Sequence, residues 1–340
     1  MKITAHPYLT LLLTLAVAAL LSMALGSVPI PLGDLWRALT DPQSLQASPL
    51  LQSYATIFTA LRLPRTALIA LSGAALGTSG AAYQGIFRNP LADPYLIGVA
   101  SGAGLGAVVG MTLRSAQTPA GSFAIPLFAF LGALITVVIV LAMARVDHSL
   151  PTTTLILAGV AVSAFASAVS SFLLLFGSVE LRRALTWLFG GATTSGWSPV
   201  LAMLPYLFIG MGTLLASGFI LNVLQFGDEQ AQQLGLNASR SRLIIVVAAS
   251  LTAAAAISFT GIIGFVGLVV PHIVRLIWGA DYRRVLPLSL LGGAAFLLLM
   301  DVASRTVLAP QELPVGLLTA LLGAPFFLWI LRRTRQGGYW

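Results

Sequence analysis

The chain has 340 residues, of which 58% are hydrophobic and 8% charged, and its formal net charge is +8. Soluble domains carry about 25% charged residues, so no water-soluble fold could cover itself with this set. Cysteine is absent, which removes disulfides, thiolate metal sites and cysteine nucleophiles, and the basic residues form no continuous stripe that would bind nucleic acid.

A membrane-crossing helix needs about 20 predominantly apolar residues. The sequence offers ten such stretches, near 8–28, 62–85, 94–112, 122–145, 153–177, 197–221, 241–258, 262–280, 285–304 and 314–331. They use most of the chain, which predicts an all-α polytopic membrane protein with a single transmembrane domain over residues 1–340. The first stretch, Tyr8 to about Gly26, is too long for the apolar core of a secretory signal and leads into more membrane, so it reads as the first span.

Along the chain, the polar segment Asp41 to Tyr54 reads as an outer loop. Gly73, Gly77 and Gly80, and then Gly98, Gly102 and Gly106, recur at spacings that let helix backbones approach closely in lipid. With no strand before them, Gly102, Gly104 and Gly106 are not a nucleotide-binding turn. Thr152, Thr153 and Thr154 open the fifth helix after Pro151. They read either as helix caps or as a narrow polar constriction in a pore.

From Asn222 to Arg242 the chain is too polar to span and too patterned for a slack linker. It predicts two short amphipathic helices, one from Asp228 to about Leu234 and another from about Asn237. Asp228 and Glu229 sit where a helix N-terminus favours negative charge, and Gly235 fits a C-cap. A short capped helix of this kind is a docking knob for a soluble partner.

Pro271 predicts a kink whose freed carbonyl needs a partner, and His272 beside it reads as a packed helix residue. Asp301 is an intramembrane acid and so a functional suspect, with Arg305 four residues on to form a local ion pair.

Basic residues are retained in cytoplasmic loops. With the N-terminus inside, Lys2, Arg88, Arg145, Arg240, Arg242, Arg275, Arg283, Arg284, Arg332, Arg333 and Arg335 fall on the cytoplasmic side, and both termini are cytoplasmic. Arg37, Arg62, Arg65, Arg114, Arg182, Arg183 and Arg305 then fall outside, a sizeable group whose simplest account is snorkelling to headgroups.

Enzymatic readings find no support: there is no H-E-x-x-H zinc site, no G-x-S-x-G elbow and no Walker loop, and His6, His148 and His272 lie far apart. The residues call for no cofactor, metal or catalytic set. Proton relays use chains of buried carboxylates or histidines, so one acid near a helix end places the energy source elsewhere. A stand-alone secondary transporter of a small organic solute is the alternative to a transport subunit driven by a partner.

Several segments carry a family resemblance: LRLPR (61–65), GAALGTSGAAYQGIFRNPLADPYLIGVASGAG (73–104), LILAGVAVS (155–163), WLFGG (187–191), GDEQAQQLGL (227–236), GFVGLVVPHIVR (264–275) and ELPVGLLTALLGAPFFLWIL (312–331). On these the chain resembles the FecCD-type permeases of ABC importers for iron siderophores, haem and cobalamin. The resemblance implies ten helices per subunit, a second permease subunit in a homodimer or close heterodimer with homodimer favoured, two ATP-binding cassette ATPase subunits and a solute-binding protein. It places such a protein in the inner or plasma membrane of a bacterium or archaeon.

The resemblance also implies roles for particular residues. Gly227, Asp228, Glu229, Ala231, Leu234 and Gly235 correspond to the coupling helix that meets the ATPase. Arg62, Arg65 and Arg305 correspond to the arginines that receive the binding protein, and Thr152 and Thr153 to the cytoplasmic gate. The cargo it implies is a metal chelate, with ferric siderophore first and haem or cobalamin next.

Overall fold

The computed structural model describes all residues except 1–5, 27–29, 41–48, 114–122, 147–148, 178–180, 192–194 and 338–340. Lys2, Arg114, His148 and the first part of the polar segment after Thr40 lie outside the described residues. Among the described residues 83% are helical and none forms a strand.

The helices are α1 (Pro7–Ala24), α2 (Leu32–Thr40), α3 (Pro49–Thr56), α4 (Leu63–Ile86), α5 (Val99–Thr112), α6 (Ala124–Ala144), α7 (Thr152–Phe176) and α8 (Leu181–Leu188). They continue with α9 (Ser198–Ala216), α10 (Gly218–Leu224), α11 (Asp228–Gln233), α12 (Ala238–Thr260), α13 (Val266–Trp278), α14 (Tyr282–Thr306) and α15 (Val315–Gly337). A π-helical turn, Ile57–Arg62, joins α3 to α4, and a 3₁₀ turn, Pro94–Ile97, precedes α5.

The ten predicted spans correspond to α1, α4, α5, α6, α7, α9 with α10, α12, α13, α14 and α15. Six of these, α1, α6, α7, α9, α12 and α14, are long and apolar enough to cross a membrane, and α5, α13 and Val315–Trp329 are shorter apolar helices. α4 owes its length to a run of Gly, Ala, Ser and Thr. It is buried from Ser72 to Ile86 without interruption, so its surroundings are other helices and small side chains serve it better than lipid-facing ones.

α4 and α12 form the centre, packed against each other and against α9; α14 and α13 also lie on α4, while α6 lies on α12 and pairs with α5. Small residues set the approach. A Cβ added at Gly80 would meet the carbonyl of Gly267, and one at Gly73 the carbonyl of Gly293. The Gly102 and Gly106 positions abut Gly132 and Phe128 of α6 in the same way, so both glycine series are helix-packing faces. Gly98 departs from its series: at φ +85 it is the left-handed residue that starts α5, a conformation glycine reaches at no steric cost. α1 and α7 are peripheral, and α7 exposes Leu157, Phe165, Phe172, Leu175 and Phe176.

Two expectations change. The helix expected from about Asn237 is not a separate amphipathic piece: the Asn237 side chain accepts from Arg240 N at 2.9 Å and caps α12. With no Gly or Pro inside Ala238–Thr260 to stop it, the helix runs on into the span. The segment expected as loop up to Tyr54 is helical from Pro49 and continues through the π turn into α4.

Pro271 lies inside α13, and the carbonyl it frees has the partner it requires. Its ring leaves the Gly267 carbonyl without an intrahelical donor, and Gln84 Nε2 donates to that carbonyl and to Leu268 O, each at 3.2 Å. Arg275 in turn donates to Gln84 Oε1 and, at 3.0 Å, to the Tyr282 hydroxyl. His272 stands edge-on to Phe326 with ring centroids 6.5 Å apart, a packed residue as expected.

Candidate functional site

The charged residues collect at the two ends of the bundle. At the end where α4 begins and α14 finishes, Arg65 donates through Nε and Nη2 to Asp301 Oδ1 at 3.1 and 2.9 Å, and through Nη1 to Glu312 Oε2 at 2.8 Å. Arg305 Nη2 lies 2.9 Å from Asp301 Oδ2, which completes the expected i,i+4 pair. Asp301 is wholly buried, so one inaccessible carboxylate is shared by two guanidiniums.

The same arginines serve α1. A helix leaves its last four carbonyls without intrahelical donors, and here Leu25 N donates to Leu21 O at 2.8 Å while arginines take the rest. Arg62 Nη1 donates to Met23 O and Ala24 O at 2.8 and 2.9 Å. Arg305 donates to Ser22 O at 3.2 Å and to Leu25 O at 3.0 Å. Positive charge at a helix C-terminus also complements its dipole.

All three sequence-predicted outer arginines therefore meet at one place. They line a cleft of about 230 Å³ together with Gly26, Ile57, Leu61 and Glu312. Their accessibility differs: Arg62 and Arg305 are 6% and 4% exposed, whereas the Arg65 and Glu312 side chains are 22% and 40% exposed. Glu312 went unremarked as a charge in the sequence, because nothing in its local pattern links it to Arg65, 247 residues away.

At the opposite end, α11 stands as a short helix. Gly227 precedes it at φ +113, and it closes in a Schellman arrangement, with Gly235 at φ +82, Gly235 N donating to Gln232 O and Leu236 N to Ala231 O, both at 2.9 Å. This is the C-cap expected for Gly235. Glu229 and Leu234 point outward, Leu234 being 66% exposed, and Phe226 just before the helix is 69% exposed. Ala231 faces the other way and is fully buried.

Asp228 is engaged within the chain. Its Oδ1 accepts from Arg88 Nη2 at 2.9 Å and from Arg242 Nη2 at 2.8 Å. Arg242 Nη1 also donates to Leu150 O at 2.7 Å, and Leu150 is followed by Pro151, the N-cap of α7. Thr154 Oγ1 donates to Pro151 O at 2.9 Å and to Ala144 O at 3.0 Å, so it performs the local bonding. Thr152 is half-buried and Thr153 exposed, which leaves both free of that task. Nearby, Asn222 joins α10 to α14, donating to Asp281 Oδ1 at 2.6 Å and accepting from Tyr282 N at 2.8 Å. The Asn222 hydrogen bond, with help from Arg283, holds the Asp281 carboxyl below the usual carboxylate range.

Among the described residues there is no group of three or more His, Asp or Glu side chains that could hold a metal ion. The arrangement consists of two charged ends joined by close-packed helices.

Comparison with known proteins agrees with this architecture. The FecCD transport family matches residues 13–333. An uncharacterized ABC transporter permease of Bacillus subtilis is 42% identical over 95% of this chain and 92% of its own. The cobalamin import system permease of Halobacterium salinarum is 44% identical over 94% of this chain and 86% of its own, and the hemin transport system permease of Yersinia pestis is 37% identical over 96% and 95%. Among solved structures, a metal-chelate type ABC transporter in an inward-facing conformation superposes with a TM-score of 0.82 at 30% identity, covering 96% of this chain and 98% of that one. The chain is a multi-pass membrane protein and belongs to the FecCD transport family.

Proposed function

We propose that the chain is the membrane-spanning permease subunit of a binding-protein-dependent ABC importer that moves a metal chelate into the cytoplasm. The observation that carries this is the near full-length correspondence with a metal-chelate type ABC transporter. Relatives named for cobalamin, hemin and iron chelatin support the cargo class, and ferric siderophore is the first candidate within it. The protein sits in the inner or plasma membrane with both termini cytoplasmic, and it makes and breaks no covalent bond.

In this reading the cleft lined by Arg62, Arg65 and Arg305 faces outward and receives an acidic side chain of the solute-binding protein. Arg65 presents charge at the surface, while Arg62 and Arg305 hold the end of α1 and so give the cleft its shape. Complementary charge steers such docking and fixes its register. At the inner end, Glu229, Leu234 and Gly235 present α11 to an ATPase subunit, with Phe226 beside them. Gly227 and Ala231 seat the helix on the bundle, and Asp228 ties it to Arg88 and Arg242.

A second copy of the chain completes the pathway, covering the apolar face that α7 exposes, with Thr152 and Thr153 at the cytoplasmic gate. Two ATPase subunits supply the driving force. The test is reconstitution of the permease with its ATPase and binding protein in liposomes, with uptake of ferric siderophore, haem and cobalamin measured in parallel. ATP-dependent, binding-protein-dependent uptake of one chelate is expected. Uptake by the permease alone, driven by an ion gradient, would establish the secondary-transporter alternative instead.

A further inference from the structure

The start of α7 and the short helix α11 have no direct bond between them, yet one buried side chain holds both. Arg242, 3% exposed on the second turn of α12, places Nη2 at 2.8 Å from Asp228 Oδ1 and Nη1 at 2.7 Å from Leu150 O. A guanidinium is planar and rigid, so its two nitrogens cannot move independently. Leu150 is buried and the next residue is proline, whose ring fixes the backbone angle leading into α7. Fewer backbone angles are then free to absorb a displacement of the Leu150 carbonyl before it reaches Thr152 and Thr153.

Two further features fit a moving contact better than a static brace. Asp228 is 44% exposed and is held by Arg88 as well as Arg242, so the helix end keeps one cationic partner while the other shifts. Arg242 Nε is buried and has no hydrogen-bond partner among the described residues. Buried donors of this kind are rare and require a reason. Here the spare nitrogen lies on the same fork as the Asp228 contact and offers the carboxylate a second docking point.

We propose that Arg242 is a positioning residue that transmits displacement of α11 to the N-terminus of α7, through Asp228 on one side and the Leu150 carbonyl on the other. This rests on the reading above, in which α11 receives the ATPase and α7 begins at the gate.

The test uses the absence of cysteine from the chain, which makes Thr153→Cys a single thiol. In the complete reconstituted importer, the maleimide labelling rate of Thr153→Cys is compared between nucleotide-free and ATP–vanadate states. Coupling between sites typically runs from about 5-fold to 150-fold, so a rate change of at least about 5-fold is expected with Arg242 intact. Adding Arg242→Gln should abolish that change while the ATPase still co-purifies and still hydrolyses ATP, an outcome that a role in stability alone does not produce.

Arg242→Lys keeps the charge but replaces the rigid fork of nitrogens with a single ammonium, and it should behave as Arg242→Gln does; it stands in if the glutamine variant does not assemble. A full labelling response in either assembled variant overturns the proposal. Leu234→Asp separates the underlying reading: if the ATPase still binds and hydrolyses normally with that variant, the docking role of α11 is wrong. If Leu234→Asp breaks assembly while Arg242→Gln leaves the response intact, only the Arg242 role is wrong.

Discussion

Arg65 and Asp301 lie 236 residues apart in sequence and meet at 2.9 Å, joining the first turn of α4 to the last turns of α14. Removing one partner of a buried ion pair leaves an uncompensated charge and costs about 3–5 kcal/mol. Asp301→Ala leaves the buried Arg305 without a carboxylate and Arg65 with Glu312 alone, so its thermal unfolding temperature in detergent should fall well below that of the parent. An unchanged transition would mean that the pair contributes no net stability.

Under the proposed docking role of the cleft, Glu312, paired with Arg65 at 2.8 Å, would compete for it with an acid of the binding protein. Glu312→Gln should strengthen binding-protein affinity and Arg65→Gln should weaken it, each by the roughly 0.2–1 kcal/mol typical of exposed pairs. Both effects should shrink as salt screens the charges. Titration of the binding protein against the permease complex at two salt concentrations reads this directly, and affinity that rises in Arg65→Gln would remove the cleft from the docking surface.

Gly80 faces the backbone of Gly267, and a methyl group there would collide with main-chain atoms that cannot rotate away. Overpacking of this kind costs typically about 1–3 kcal/mol, so Gly80→Ala should lower thermal stability and expression. Gly212→Ala, where no atom lies within 4 Å of the added carbon, is the control and should be neutral or slightly stabilising.

Gln84 fills the gap made by Pro271. Gln84→Leu leaves the Gly267 carbonyl without a donor and takes an acceptor from Arg275, and an unsatisfied buried polar group costs about 1–3 kcal/mol. Hydrogen exchange should rise locally in α13 before the whole bundle loosens. Equal protection in variant and parent would mean that another group satisfies the carbonyl.

Gly235 adopts a left-handed conformation that costs other residues about 1–2 kcal/mol. Gly235→Val should loosen the end of α11, lowering ATP-driven uptake more than it lowers the overall melting temperature. Parallel measurement of uptake and melting separates the two, and an equal loss in both would argue for a general destabilisation.

What was legible in the sequence follows from the range of the forces involved. The apolar stretches of α1, α6 and α7 announce themselves because transfer into lipid depends on side chains summed over one segment. The C-cap of α11 announces itself because Gly235 and its neighbours bond within a few residues. The carbonyl freed by Pro271 was legible as a need, but Gln84, its partner, was not, since a freed carbonyl says nothing about which distant donor will reach it.

The sequence alone determined that this is an all-α multi-pass membrane protein with an acidic knob between two spans. Only the tertiary structure decided what its charges do. Arg62, Arg65 and Arg305 look alike in sequence, yet packing turns two of them inward to cap α1 and leaves one at the surface. Asp228, which reads as an exposed helix start, is bound to Arg88 and Arg242. Charge interactions act through space, and the partners of these groups are set by which helices pack together, which no local stretch of sequence encodes.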